Sequence, residues 1–208
     1  MLPGGLVEKR YQGPGSFERC EREIDCLRHL EGVLPVPAIA HADLSVPLLV
    51  THRVAGAHGQ DLLEHDQAPR VLRLLGSALA TLQTLPTSAV PGLPGSGSVV
   101  VHGDFGPQNL LVHDQRVSAL LDWEFARIGE PVDDLAWAEW IVRMHHPDQV
   151  DAMPALFDAS GLDLGWPSRQ AAMVRRCEEL LEMSERSQSI DAADLWTDRL
   201  RATEGWVE

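Results

Sequence analysis

The sequence predicts an α+β protein built as a small strand-rich piece followed by a larger, mainly helical one. Short strand-like runs, broken by Gly and Pro and holding one helix, fill the chain as far as Val54. From Pro69 onward, apolar residues recur at helical spacing. Between the two, the composition changes at Val54–Gly59, which reads as a hinge. The expected organisation is 1–54 for the strand-rich piece, 55–59 for the linker and 60–208 for the helical piece.

Val7–Tyr11 reads as a strand that Gly13-Pro14-Gly15 turns into a helix, with Ser16 as its N-cap and its end near Glu31. Phe17, Cys20, Ile24, Leu27 and Leu30 form the apolar stripe of that helix. Gly32, Pro35 and Pro37 stop it, and Ile39–Asp43 and Leu48–Val54 read as strands joined by a tight polar turn. Gly56–Gly59 reads as a loop. Pro69 opens a helix through about Leu85, and Pro86–Ser98 is a Pro/Gly/Ser-rich loop. Three short strands are expected at Val99–Val101, Leu110–His113 and Ser118–Leu121. Helices are expected at Asp134–His145, Gln149–Ser160, Ser168–Ser184 and Ile190–Thr203.

Composition narrows the function classes. Of 208 residues, 44% are apolar, enough for a packed core. Acidic residues outnumber basic ones 31 to 17, a formal charge of −14, and no basic stripe suits a nucleic acid. The acidity fits a cationic or metal-bound partner and also serves solubility. The three cysteines, Cys20, Cys26 and Cys177, show neither disulfide nor zinc spacing. No apolar run is long enough to span a membrane, and no signal-like N-terminus is visible. A cytoplasmic enzyme fits these features.

The chemistry concentrates between Val99 and Leu135. An apolar strand, Val99-Val100-Val101, runs directly into His102-Gly103-Asp104, and apolar residues return at Leu110-Leu111-Val112. The polar loop between them is anchored at both ends and can hold Asp104 and Asn109 rigidly. The next strand, Ala119-Leu120-Leu121, ends in Asp122. Oxygen donors with open positions suit Mg²⁺ bound together with substrate phosphates. Phosphoryl transfer needs this set: a carboxylate for the acceptor proton, and an Asn and an Asp for the metal.

His102-Gly103-Asp104-Phe105-Gly106-Pro107-Gln108-Asn109 matches the H-x-D-x-x-x-x-N catalytic loop of kinase-like enzymes. With Leu121-Asp122-Trp123-Glu124 and Pro131-Val132-Asp133-Asp134-Leu135-Ala136, the chain resembles the aminoglycoside phosphotransferase and choline kinase family. The resemblance implies a protein-kinase-like bilobal fold, with a small antiparallel-sheet N-lobe and a larger, mainly helical C-lobe. It implies a Mg²⁺-dependent kinase that moves the γ-phosphoryl of ATP or GTP onto a hydroxyl of a small, including a cationic, acceptor. By position, Asp104 is the catalytic base, and Asn109 and Asp122 are the metal ligands. The literal Asp104-Phe105-Gly106 is a decoy inside the catalytic loop, and Asp122-Trp123-Glu124 takes the place of the kinase D-F-G element. His102 is expected to order the loop, and Asp134 to cap the following helix and brace the site.

The same resemblance makes Lys9 the strand lysine that holds phosphates and Glu23 its helix partner, with Arg10 as the alternative phosphate contact. Glu23 lies three residues after Cys20 and four before Leu27, so it flanks the apolar face and can point inward. Leu48–Val54 resembles the strand leading to the adenine-binding hinge, which puts the backbone of His52 and Val54 beside the base. The acidic residues Glu178, Glu179, Glu182 and Asp194 lie on a solvated face, where some could meet a cationic acceptor. Only eight residues precede Lys9, fewer than two strands and a phosphate-covering loop require. The N-lobe is therefore expected to be shortened, by natural loss or truncation, with Gly4-Gly5 as a turn. Two other functions follow from different weights on these features: a nucleotide- or ligand-binding protein lacking the flap, and a Mg²⁺-dependent hydrolase.

Overall fold

A computed structural model describes residues 4–65 and 67–208. Gly4 and Gly5 form a turn into strand β1 (Leu6–Arg10). β1 and β2 (Ile39–Asp43) flank β3 (Leu48–His52), both antiparallel to it, with Lys9 opposite Leu49. Helix α1 (Ser16–Leu30) packs on this sheet, burying Cys20, Glu23, Ile24, Cys26, Leu27 and Leu30. Gly15, in the left-handed conformation at φ 68°, is its N-cap, so Ser16 is the first helical residue and not the cap. Phe17, expected in the buried stripe, is 44% exposed, because it lies in the first turn, beyond the sheet's cover.

The stretch expected as a loop at Gly56–Gly59 holds the short strand β4 (Ala57–His58) and the start of helix α2 (Gly59–Leu63). β4 pairs with β6 (Leu110–His113), which pairs with β7 (Arg116–Leu120). A Cβ on Gly59 would lie 2.8 Å from the Pro107 carbonyl oxygen, so glycine lets α2 meet the loop of residues 102–109. Strand β5 (Val99–Val101) pairs with β8 (Arg127–Gly129), a strand not expected from the sequence. β7 ends one residue earlier than expected, leaving Leu121 between the strand and Asp122.

The helical part is built on α3 (Ala68–Leu82), which carries Pro69 in its first turn and buries Val71, Leu72, Leu75, Leu79 and Leu82. α3 lies against α5 (Pro154–Ser160) at Gly76, where a Cβ would come within 2.4 Å of the Leu156 carbonyl oxygen. The single helix expected at Gln149–Ser160 is a 3₁₀ turn, Pro147–Ala152, followed by α5, because Pro154 interrupts the backbone ladder. Helices α4 (Pro131–His145), α6 (Trp166–Arg186) and α7 (Ile190–Glu204) complete the fold. One apolar core runs from Ile24, Leu27 and Leu49 through Leu75 and Leu79 to Leu110, Trp123 and Leu135. A second, between α4, α6 and α7, contains Trp137, Trp140, Met173 and Cys177. Among the described residues, no helix is long and apolar enough to cross a membrane.

Candidate active site

The loop after β5 is fixed from beneath. His102 is fully buried. The Asp104 N–H donates to its Nδ1 at 3.3 Å, which leaves Nε2 to donate to the Leu121 carbonyl at 2.8 Å. One imidazole therefore ties the Asp104 loop to the segment carrying Asp122. Asp134, also buried, accepts the His102 N–H at 2.7 Å and the Gly103 N–H at 3.0 Å. Burial pushes its carboxyl above the usual range, against the pull of His102 and those two amides. Asp134 braces the loop, but it does not cap α4. That cap is Glu130, in a reciprocal capping box with Asp133. Gly103 has φ 82°, and a Cβ there would lie 2.2 Å from the Phe125 carbonyl oxygen, so only glycine fits.

Both oxygens of Asp104 are held by N–H donors. Asn109 Nδ2 donates to Oδ2 at 2.9 Å and to the Asp104 carbonyl at 2.9 Å, and Trp137 Nε1 donates to Oδ1 at 2.9 Å. With its NH₂ group turned to Asp104, Asn109 has its Oδ1 left as the acceptor. The Leu121 N–H donates to the Asn109 carbonyl at 2.9 Å, which sets Asn109 beside the Asp122 segment. Asp122 has φ 67°, a left-handed conformation that Asp tolerates better than most residues.

Lys9 joins the two halves of the site. Its Nζ lies 2.7 Å from Glu23 Oε2, 2.5 Å from Asp122 Oδ1 and 3.4 Å from Glu124 Oε1. Burial alone would lower the lysine, but Glu23 and Asp122 outweigh it and hold the ammonium above its ordinary value. Burial pushes the Glu23 carboxyl up while Lys9 pulls it down. Tyr11 donates to the same Glu23 oxygen at 2.5 Å, and burial, then the Glu23 charge, pushes its phenol well up. Arg10 instead bonds Glu8 at 2.8 Å on the exposed side.

Lys9, Glu23, Asn109 and Asp122 line one cavity of about 270 Å³, whose apolar wall includes Val7, Leu49 and Leu121. Thr51 and His58 line it as well, whereas His52 and Val54 do not. The His52 N–H is taken by the Ala38 carbonyl at 2.9 Å, so that amide is not open to a base. Val54 makes no backbone hydrogen bond among the described residues. No group of three or more His, Cys, Asp or Glu suited to a metal occurs among the described residues. Asp122 and the Asn109 amide oxygen are hard donors, few in number, of the kind Mg²⁺ takes together with phosphate oxygens.

Three features escaped the sequence reading. Glu124, buried, bonds Arg19 of α1, and its carbonyl accepts from Arg22 at 2.8 Å. Trp137 reaches Asp104 from α4, 33 residues away. On the far side of Gly103, a cavity of about 170 Å³ is lined by Trp137, Arg127, Arg175, Arg176, Asp133 and Glu179. None of these contacts has a signature in local spacing.

The profile of the family described as "Phosphotransferase enzyme family" matches residues 3–97 and 90–172. Viomycin phosphotransferase of Streptomyces vinaceus is 42% identical over 53 residues, 24% of this chain and 18% of that protein. Acyl-CoA dehydrogenase family member 11 of Mus musculus is 40% identical over 63 residues, 28% of this chain and 8% of that protein. The chain thus matches a small part of these curated relatives' length. Among solved structures, the GDP complex of aminoglycoside 2'-phosphotransferase-IIIa superposes with TM-score 0.80 at 14% identity, covering 98% of this chain and 87% of that one. The ternary complex of an aminoglycoside phosphotransferase APH(4)-Ia variant with AMP-PNP and hygromycin B gives 0.72 at 18%, covering 97% and 86%. At these identities the structural likeness establishes the protein-kinase-like fold.

Proposed function

The chain belongs to the phosphotransferase enzyme family, and from that premise we propose that it transfers the γ-phosphoryl group of a nucleoside triphosphate to a hydroxyl of a small polar molecule. The observation that carries this is the convergence of Lys9, Glu23, Asn109 and Asp122 on one cavity, with Asp104 hydrogen-bonded to the lining residue Asn109. Structural relatives described as complexes with AMP-PNP and with GDP support a purine nucleotide as co-substrate.

In this reading the lobe of residues 1–54 grips the nucleotide, 55–59 link the lobes and 60–208 carry the acceptor side. Asp122 and Asn109 Oδ1 would hold Mg²⁺, which would supply positive charge to offset that of the phosphates. Lys9, kept cationic by Glu23, binds the phosphates. The Val54 N–H and the His52 carbonyl, which are not part of the Lys9 cavity's lining, would meet the base only where it extends beyond the cavity. Asp104 accepts the proton of the acceptor hydroxyl as its oxygen attacks the γ-phosphorus. The bond from that phosphorus to the β–γ bridging oxygen breaks, releasing a nucleoside diphosphate. The second cavity carries both signs of charge, Arg127, Arg175 and Arg176 beside Glu130, Asp133, Asp134 and Glu179, which favours a polar acceptor.

Thermal-shift titration with ATP and GTP, with and without Mg²⁺, followed by a panel of hydroxyl acceptors, tests the proposal. Asp104→Asn should lose transfer by a hundredfold or more while retaining Mg-nucleotide binding. An Asp104→Asn protein that turns over normally would remove Asp104 from the reaction.

A further inference from the structure

Resting on the phosphotransferase reading, we infer that Trp137 is a positioning residue that aims the Asp104 carboxylate through its indole N–H. The Trp137 Nε1 lies 2.9 Å from Asp104 Oδ1, and Asn109 Nδ2 lies 2.9 Å from Oδ2. A carboxylate with one donor on each oxygen cannot rotate about its Cβ–Cγ bond without losing both. Gln108 Nε2, at 3.5 Å from Oδ1, is too distant to substitute for the indole. One lone pair on each oxygen stays free, so the group is oriented without being consumed as a base.

Trp137 is built for this task. It is 7% exposed, and its ring stacks on Trp140 with centroids 4.5 Å apart and planes 6° from parallel. The Arg176 guanidinium lies 5.7 Å from the ring centroid, and Arg176 also donates to the Gly103 carbonyl at 3.1 Å. The indole is thus fixed by stacking on α4 and by a guanidinium that itself holds the catalytic loop. Its Nε1 edge meets Asp104, and another part of the ring lines the cavity beside Gly103. An ordinary core tryptophan would satisfy its N–H on a backbone carbonyl or a neutral side chain. Trp123 donates to the Leu120 carbonyl and Trp140 to Thr203, which makes Trp140→Phe the matched control.

The test compares Trp137→Phe with Trp140→Phe, since both remove one indole from the same stack and only the first removes a donor to Asp104. Turnover is read as inorganic phosphate released from Mg-ATP and Mg-GTP, with water in place of the unidentified acceptor, and nucleotide Kd by calorimetry. Trp137→Phe should lower kcat roughly tenfold to a hundredfold with nucleotide Kd unchanged, whereas Trp140→Phe, which keeps an aromatic ring against Trp137 and leaves its N–H on Asp104, should lower kcat by a clearly smaller factor. The hydrogen bond itself is read from the indole ¹H–¹⁵N resonance of Trp137, which should move upfield in Asp104→Asn. Wild-type kcat in Trp137→Phe, equal losses in the two variants, or an indole resonance unmoved by Asp104→Asn would each overturn the inference. A wild-type protein that binds neither Mg-ATP nor Mg-GTP by calorimetry, with the indole resonance still responding to Asp104→Asn, would sink the phosphotransferase reading and leave the Trp137–Asp104 bond standing.

Discussion

At the scale of single residues, the site works by giving each polar group a fixed partner. Asp122 faces Lys9 at 2.5 Å, and Asn109 spends its NH₂ group on Asp104. On the proposed function, the Asp122 carboxylate would exchange an ammonium for a dication when Mg²⁺-nucleotide binds, whereas Asn109 would offer only an amide dipole. Asp122→Ala should therefore abolish the Mg²⁺ dependence of nucleotide binding, and Asn109→Ala should weaken it by a smaller factor. Titrating Mg²⁺ against nucleotide-induced stabilisation checks this, and equal small effects would move the metal elsewhere. Glu23 was legible in the sequence because helical spacing set it beside Cys20 and Leu27, and it is buried facing Lys9. Asp104 and Asp122 were legible because they follow short apolar runs, and Asn109 because it closes the H-x-D-x-x-x-x-N pattern just before one. Trp137 was not, since an apolar aromatic on a helix looks the same whether its N–H ends on a carbonyl or on a carboxylate.

At the scale of elements, the position of α1 is coupled to the Asp122 loop. Arg19 bonds the Glu124 carboxylate and Arg22 the Glu124 carbonyl, while Glu23, on the same helix, bonds Lys9. These contacts set the helix against the Asp122 segment as well as against the sheet. Arg19→Ala and Glu124→Gln should each weaken Mg-nucleotide binding, and the double variant should do little more than either alone. A coupling energy of roughly 1 kcal/mol in a double-mutant cycle is expected for a pair this close. Strict additivity would show that the pair does not link α1 to the site. The long elements were readable from periodicity: α1, α3, α6 and α7 lie within three residues of their expected bounds. β4 and β8 were not. Ala57–His58 is a strand only because it meets Leu111 and Val112, and Arg127–Gly129 only because it meets Val99–Val101. Pairing across that much sequence leaves no trace in two- or three-residue segments.

At the scale of the molecule, the two apolar cores divide the cysteines. Cys20 and Cys26 lie on α1 in the core that runs from the N-terminal sheet into the helical part, and Cys177 lies on α6 in the tryptophan-rich core. All three are buried, and burial raises each thiol, Cys26 to about 12. At pH 8 almost no thiolate forms in the folded state, so a disulfide reagent reacts only when the surrounding structure opens. Opening of α1 breaks the Lys9–Glu23 and Arg19–Glu124 contacts, whereas opening of α6 near Cys177 releases Arg176 from the Gly103 carbonyl but breaks no contact of Lys9, Asn109 or Asp122. A ligand that binds only the closed site suppresses the first opening by the factor 1 + [L]/Kd and leaves local openings of α6 unchanged. Saturating Mg-nucleotide, at about 100 times Kd, should therefore slow modification of Cys20 and Cys26 by roughly a hundredfold. Cys177 should keep its rate if it reacts through local opening. Single-cysteine variants treated with the reagent at pH 8, with and without Mg-nucleotide, measure the three rates separately. Equal protection of all three would mean that the molecule opens as one cooperative unit, and no protection of Cys20 and Cys26 would mean that α1 moves independently of the nucleotide site.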